Sequence, residues 1–343
     1  MVKNRLIKSL NENNILYDNI IKLMGDASTR VYYRVFLKEG FTDEKSFIAM
    51  VMPENIEINE KGNSSFIKEE PFLNIHRYLI KSDLNIPEIY LNDKLNRVLL
   101  LEDLTDMTLY KLILKDNRDN LGLKYKKAID ELIVFQDYTL NNYDTEVYAF
   151  KRGFDKSTLK WELNHFVEWQ IKEAMGIDLS INNHAKVDAI FNNIVDKIVK
   201  LPQIVVHRDY QSKNIMIKNK KYYLIDFQDA LKGSYVYDLV ALLKDSYVEL
   251  SEDFVVGILK YYIEKKKKKS NIEYDFDTLY KDFKLQAIQR KLKDTGRFHF
   301  INIVRNNSSF LQYLPLSKEY IRRYLDELYP ELSVIFKDAL KLE

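Results

Sequence analysis

Between Ile20 and Leu101 the apolar residues fall in short runs rather than long periodic stretches. Val31-Tyr32-Tyr33-Arg34-Val35-Phe36-Leu37 and Phe47-Ile48-Ala49-Met50-Val51-Met52 are rich in β-branched and aromatic residues, which predicts two strands. Gly25 and the polar group Asp26-Ala27-Ser28-Thr29 mark a turn before the first of them. From Ser65 to Ser82 the apolar positions Phe66, Leu73, Ile75, Tyr78 and Leu79 approximate helical spacing. Pro87 then begins a return to extended chain through Arg97-Val98-Leu99-Leu100-Leu101. The run breaks at Glu102-Asp103-Leu104-Thr105-Asp106, and long helical patterns follow, among them Ser157–Met175, Ala185–Leu201 and Phe276 onward. The pattern therefore predicts an α+β chain: a small, strand-rich region over residues 1–103 and a larger, mostly helical one over 104–343.

Bulk composition agrees with two lobes, because 343 residues with 46% hydrophobic content can bury one large core or two medium ones. A net charge of +2 gives no global attraction for nucleic acid or an anionic membrane, so any phosphate binding must be local. The chain has no cysteine, which excludes disulfides, thiolate catalysis and cysteine-ligated metals. Met1–Leu10 does not read as a signal peptide, and no apolar stretch approaches the roughly 20 residues that span a bilayer. These features predict a soluble, cytoplasmic protein with no nucleic-acid or membrane partner. The lysine run at 265–269 reads as a solvated helix end or loop.

The chemistry is concentrated in one segment. His207-Arg208-Asp209 with Asn214 reproduces the kinase catalytic-loop pattern H-R-D-x-x-x-x-N, spacing included. Seventeen positions after Asp209, a strand-like Lys221-Tyr222-Tyr223-Leu224-Ile225 ends in Asp226-Phe227, with Ile215-Met216-Ile217 and Lys218-Asn219-Lys220 as the first strand and turn of a hairpin. Phosphoryl transfer needs charge neutralisation and positioning more than a protein nucleophile. Two carboxylates and one amide suffice: Asp209 to orient the acceptor hydroxyl and take its proton, Asn214 and Asp226 to hold Mg2+ against the phosphates of ATP. For His207, packing that holds the loop is the better reading. Arg208 divides between structural pairing and phosphate contact, and Lys213 between charge neutralisation and plain exposure.

A protein kinase is disfavoured. There is no G-x-G-x-x-G loop, no V-A-I-K strand and no A-P-E, and Gln228 follows Asp226-Phe227 where glycine would stand. Only eleven residues separate Asp226 from Asp238 in Tyr237-Asp238-Leu239, too few for a peptide-docking activation segment, so the acceptor is expected to be small.

On these motifs the chain resembles the aminoglycoside phosphotransferase and choline kinase-like family. Within it, Ile225-Asp226-Phe227-Gln228-Asp229-Ala230-Leu231-Lys232-Gly233 and Tyr237-Asp238-Leu239-Val240-Ala241-Leu242-Leu243-Lys244-Asp245 look like the N-acetylmuramate/N-acetylglucosamine anomeric kinases of bacterial cell-wall recycling. The likeness extends to Gly25-Asp26-Ala27-Ser28-Thr29-Arg30-Val31-Tyr32-Tyr33-Arg34-Val35, to Val98-Leu99-Leu100-Leu101-Glu102-Asp103-Leu104, and to Trp161-Glu162-Leu163 with Phe166 and Trp169.

The resemblance implies a bilobal protein-kinase-like fold, Ser28 and Thr29 donating to the ATP phosphates, and backbone around Glu102 to Leu104 receiving adenine. It also implies transfer to the anomeric hydroxyl of N-acetylmuramate or N-acetylglucosamine. Glu162, Trp161, Trp169, Asp229, Arg297 and Arg305 are the candidates for holding such a sugar, which asks for an aromatic face and convergent polar groups. His165 and His299 lack metal-ligand spacing and read as structural.

Two departures from the family stand out. Val51 stands about where the family places a phosphate-pairing lysine, so nucleotide binding must use other contacts. Gly296-Arg297-Phe298 matches the subgroup, whereas Val304-Arg305-Asn306-Asn307-Ser308 diverges from its usual glycine-containing continuation. Choline, another amino alcohol or an aminoglycoside is the alternative acceptor, and a nucleotide-binding pseudokinase or scaffold the alternative outside enzymes.

Overall fold

The computed structural model describes residues 2–23, 30–53 and 70–341. Helix α1 (Val2–Glu12) leads into strands β1 (Tyr17–Lys22), β2 (Val31–Leu37) and β3 (Ser46–Val51), then helix α2 (Pro71–Leu79), β4 (Ile89–Asp93) and β5 (Val98–Glu102). The five strands form one antiparallel sheet in the order β1-β2-β3-β5-β4.

Period-two alternation gives this sheet two different faces. Tyr33, Val35, Phe47, Ala49, Val51, Val98 and Leu100 pack with Leu6 and Leu10 of α1 into a small outer core. Met50, Leu99 and Leu101, with Tyr32 and Ile48 beside them, belong to the opposite face and join the main core. Val51 therefore points away from the interior cleft. Its neighbours on the inward face, Met50 and Met52, are uncharged as well.

After β5 come α3 (Leu109–Lys115), α4 (Leu121–Asn141), the single turn α5 (Tyr148–Lys151) and α6 (Lys156–His165). The last of these runs directly into a π-helical stretch, Phe166–Ala174. Helix α7 (Ile181–Ile198) follows, then β6 (Gln203–Val206), the hairpin β7 (Ile215–Lys218) and β8 (Lys221–Leu224), and β9 (Leu231–Ser234), which pairs antiparallel with β6. Helices α8 (Tyr237–Leu243), α9 (Glu252–Ser270), α10 (Phe276–Arg305), α11 (Leu314–Leu328) and α12 (Pro330–Ile335) complete the described chain. Among the described residues no helix is long and apolar enough to cross a membrane.

Helix α10 is the organising strut of the helical region. It packs against α6, the π-helical stretch, α8 and α11, and it buries Arg290, Lys291 and Asp294 along with its apolar residues. Its approach to the α6–π junction is close enough to require glycine: a Cβ at Gly296 would stand 2.4 Å from the His165 carbonyl oxygen. The lysine run ends α9 as expected, and Lys265, Lys267 and Lys268 pair with surface acids. Lys266 is the exception, fully buried and ion-paired with Asp137.

Candidate active site

The segment after β6 is held by charged groups from distant elements. The Asp238 carboxylate, buried at the start of α8, accepts the backbone N–H groups of His207 (2.7 Å) and Arg208 (3.0 Å). Buried Asp245 accepts the Ser212 N–H (2.9 Å) and its hydroxyl. From α10, Arg290 donates to the Arg208 carbonyl (2.7 Å), lies 3.5 Å from the Asp209 carboxylate and stacks over the Tyr237 ring. These contacts hold Arg208 at φ +77°, a conformation a branched-chain-sized residue seldom adopts unsupported.

The expected trio is brought together. The Asn214 side-chain N–H2 donates to the Asp209 carbonyl (2.9 Å) and to the Asp226 carboxylate (3.3 Å). The hairpin β7–β8 returns Asp226 to the loop, as its turn sequence predicts, and Asp226 itself sits in the left-handed region at φ 67°. Gln228 donates to the other Asp226 oxygen (2.7 Å).

The electrostatics of the two carboxylates differ. Burial alone would raise the proton affinity of Asp209, but Arg290, Arg208 and Lys293 more than offset it and hold the group below its ordinary range. Asp226 goes the other way, pushed up to about 6 by desolvation first and by the charge of Asp209 second. The charge of Arg30 opposes the rise, and Asp209 and Asp229 outweigh it. With the Asn214 amide nitrogen donating to Asp209 and Asp226, its Oδ1 would be the atom to join Asp226 if a divalent cation bound there. No cluster of three or more His, Cys, Asp or Glu suited to a metal occurs among the described residues.

His207 is neutral and architectural. Burial lowers its proton affinity to about 4, its Nε2 lies 3.0 Å from the Ile225 carbonyl, and its ring meets Phe135 and Tyr210 edge-on. The Ile225 carbonyl can only accept, which places the proton on Nε2. Lys213 is enclosed by the rings of Tyr247 (3.6 Å to the centroid), Tyr313 and Tyr110, and donates to the Tyr313 hydroxyl. Neither of the two readings drawn from sequence anticipates that aromatic cage.

The remaining candidates form two further groups. Asp229 is beside the trio, 3.9 Å from the Arg208 guanidinium and 3.4 Å from the Gln228 amide. Glu162 is buried and accepts from Gln289 (2.7 Å), in a chain that runs on through Gln286 to Ser234. Trp169, Arg297 and Arg305 converge elsewhere, around Phe300. Trp169 meets that ring edge-on at 4.9 Å, and the two guanidiniums lie 4.7 and 6.0 Å from its centroid. Trp161, about two-fifths exposed, joins the cluster through His165.

At the sheet end, Glu102 accepts from Lys218 of β7 (2.8 Å) and its N–H is donated to the Glu88 carbonyl, so what its backbone can offer adenine is a carbonyl. Leu104 is buried. Ser28 and Thr29 lie outside the described residues.

Arg290, Lys293, Asp245 and the clamp role of Asp238 escape sequence reasoning. Buried charges on α10 look like surface positions in a hydrophobicity pattern, and only their spacing by three and four residues hints at a shared face.

A bilobal, protein-kinase-like α+β fold with a catalytic-loop carboxylate and a facing amide–carboxylate pair defines a kinase-type phosphotransferase. The chain belongs to the Phosphotransferase enzyme family, which it matches over residues 20–270. It is 26% identical over 319 residues to the N-acetylmuramate/N-acetylglucosamine kinase of Neisseria meningitidis serogroup B, covering 92% of this chain and 88% of that one. To the enzyme of the same name from Pseudomonas aeruginosa it is 29% identical over 281 residues, covering 81% and 75%. Among solved structures, ADP-bound aminoglycoside phosphotransferase APH(2'')-Ib superposes with a TM-score of 0.58 at 15% identity, covering 94% of this chain and 97% of that one.

Proposed function

We propose that the protein transfers the γ-phosphoryl group of ATP to the anomeric hydroxyl of an N-acetylated amino sugar, N-acetylmuramate or N-acetylglucosamine. The observation that carries this reading is near-full-length similarity to kinases of that name together with an intact Asp209, Asn214 and Asp226. ATP lies between the 1–103 and 104–343 lobes. Adenine meets backbone near Glu102 and Leu104, and Ser28 and Thr29 reach its phosphates.

Asp209 orients the sugar hydroxyl and receives its proton as the bond from the sugar oxygen to γ-phosphorus forms and the bond from γ-phosphorus to the bridging oxygen of ADP breaks. Mg2+, held by Asn214 and Asp226, neutralises charge on the phosphate oxygens when bound.

The acceptor lies along α10. Arg290, Lys293, Arg297 and Phe300 recur at three- and four-residue steps, so the helix carries one stripe from beside Asp209 to the Phe300 cluster, about 10 Å between Arg290 and Arg297 at the helical rise. Trp169 and Phe300 provide an aromatic face, Arg297 and Arg305 flank it, Asp229 lines the end beside Asp209, and buried Glu162 backs the site through Gln289. Two guanidiniums beside the aromatic face suit a neutral or carboxylate-bearing sugar and disfavour polycationic aminoglycosides and choline.

The test is ATP consumption by the purified protein with N-acetylmuramate, N-acetylglucosamine, choline, ethanolamine and kanamycin, the product read by phosphorus magnetic resonance. An anomeric phosphate with one of the first two is the expected result. Turnover confined to the last three defeats the proposal.

A further inference from the structure

A kinase without a lysine on the cleft side of its sheet still needs a fixed cation over the nucleotide phosphates. Among the described residues the inward positions of β2, β3 and β5 are Tyr32, Arg34, Phe36, Ser46, Ile48, Met50, Leu99 and Leu101. Arg34 is at the wrong end and already engaged: it donates to Asp103 (2.6 Å) and to Asp106 (2.9 Å), beside the exit of β5. Arg30 is at the other end. It immediately precedes β2 and shares the inward side with Tyr32 and Arg34 by strand alternation. In the register of Val31 with Val51 it stands opposite Met52 and diagonal to Met50, on the same face of the sheet.

Arg30 is also held. Its guanidinium donates to Glu70 at 3.0 Å, and both side chains are largely enclosed, 16% and 11% exposed. Glu70 immediately precedes α2, and α2 rests on the Asp226-Phe227 turn: Phe72 stacks on Phe227 with centroids 5.1 Å apart, and His76 flanks the same ring. The pair therefore ties the edge of the sheet to the helix that packs on the Asp226-Phe227 turn. The charge of Arg30 is felt by both Asp226 and Asp229.

We propose that Arg30, held by Glu70, grips the α- and β-phosphates of the bound nucleotide and so replaces the strand lysine and helix glutamate of other kinases. The inference rests on the reading of ATP as phosphoryl donor. Arginine suits the task from this position. It starts on the neighbouring strand, diagonal to Met50 at roughly 7–8 Å, and its planar fork presents donors over a wider arc than an ammonium does. A guanidinium has five N–H donors in a rigid fork, so it can meet a phosphate while it stays held by Glu70 and beside the Tyr32 hydroxyl. Because α2 sits on the Phe227 turn, the same pair ties the grip on the phosphates to the placement of Asp226.

Calorimetric binding of adenosine, AMP and MgADP to the full chain, with no acceptor present, tests this. Arg30→Gln should weaken MgADP binding about 10- to 100-fold, as loss of a charge-assisted phosphate contact does, while leaving adenosine within twofold. Arg30→Lys should recover part of the loss, and Glu70→Gln should give a smaller loss graded in the same order of ligands. MgADP binding by Arg30→Gln equal to wild type overturns the proposal, and so does an equal loss of adenosine and MgADP, which would make the pair a strap for the fold alone. Wild-type protein that binds no adenine nucleotide would refute the ATP reading itself, and the proposal with it, independently of which acceptor is used.

Discussion

Replacing Asp226 by asparagine should make the metal-free protein more stable while removing its activity, and the sign of the first effect is the demanding part. The folded chain raises the proton affinity of Asp226 to about 6, against roughly 3.9 in an unfolded chain. Between about pH 4 and 6 the native state therefore binds more protons than the unfolded state, and stability falls as pH rises through that window. Above it the ionised carboxylate costs roughly 3 kcal/mol if fully enclosed, and roughly 1 kcal/mol once its open side to solvent is discounted. Asparagine removes that cost and is, after glycine, among the residues best suited to the left-handed backbone at this position. In metal-free buffer at pH 7.5, Asp226→Asn should melt about 1–3 °C above wild type, and the gap should close toward pH 4. MgADP should reverse the order, stabilising wild type more than the variant. A variant less stable than wild type at pH 7.5 without metal would refute the view that Asp226 is an under-compensated carboxylate.

Asp209→Asn should lower kcat about 10²- to 10⁴-fold, the usual worth of a positioned general base, with MgADP affinity within twofold. Unchanged turnover would remove Asp209 from the chemistry. Lys213→Met should cost about 1–2 kcal/mol in urea unfolding, by withdrawing the cation from its tyrosine cage, and leave the KM for ATP unchanged. A selective rise in that KM would instead put the lysine on the phosphates.

The parts of this molecule legible in its sequence are those with local periodicity. The strand read at Val31–Leu37 forms over those residues, and the one read at Phe47–Met52 forms as Ser46–Val51. The hairpin that returns Asp226 follows from its two short apolar runs and the turn at Lys218-Asn219-Lys220. The helix expected over 157–175 is continuous, but it changes to π-helical hydrogen bonding at Phe166, where α10 presses on it at Gly296. That change arises from tertiary contact and leaves no trace in residue spacing. Arg30 and Glu70 stand forty residues apart and make no pattern until the sheet and α2 are assembled. Buried Arg290 and Asp294 were hidden for a further reason: a charge inside a helix core resembles a solvated face until its partners are known.

Those partners explain how one loop can hold its unusual backbone. Arg208 and Asp226 both occupy the left-handed region, at a cost of roughly 1–3 kcal/mol each, and such conformations persist only where the surroundings over-determine them. Here Asp238 takes two consecutive N–H groups, Arg290 supplies the carbonyl between them and Asp209 with a donor, and Asp245 takes the next turn at Ser212. The same Arg290 helps keep Asp209 ionised. A carboxylate held below its ordinary range is a weak base, which would be a handicap if the proton had to leave early. In a loose phosphoryl-transfer transition state little proton transfer is needed before the bond to phosphorus forms, so orientation counts for more than basicity. The arginine that would weaken Asp209 as a base is the one that aims it. Because Arg290 belongs to the helix that also carries Lys293, Arg297 and Phe300, the direction of Asp209 and the proposed seat of the acceptor are fixed by a single rigid element.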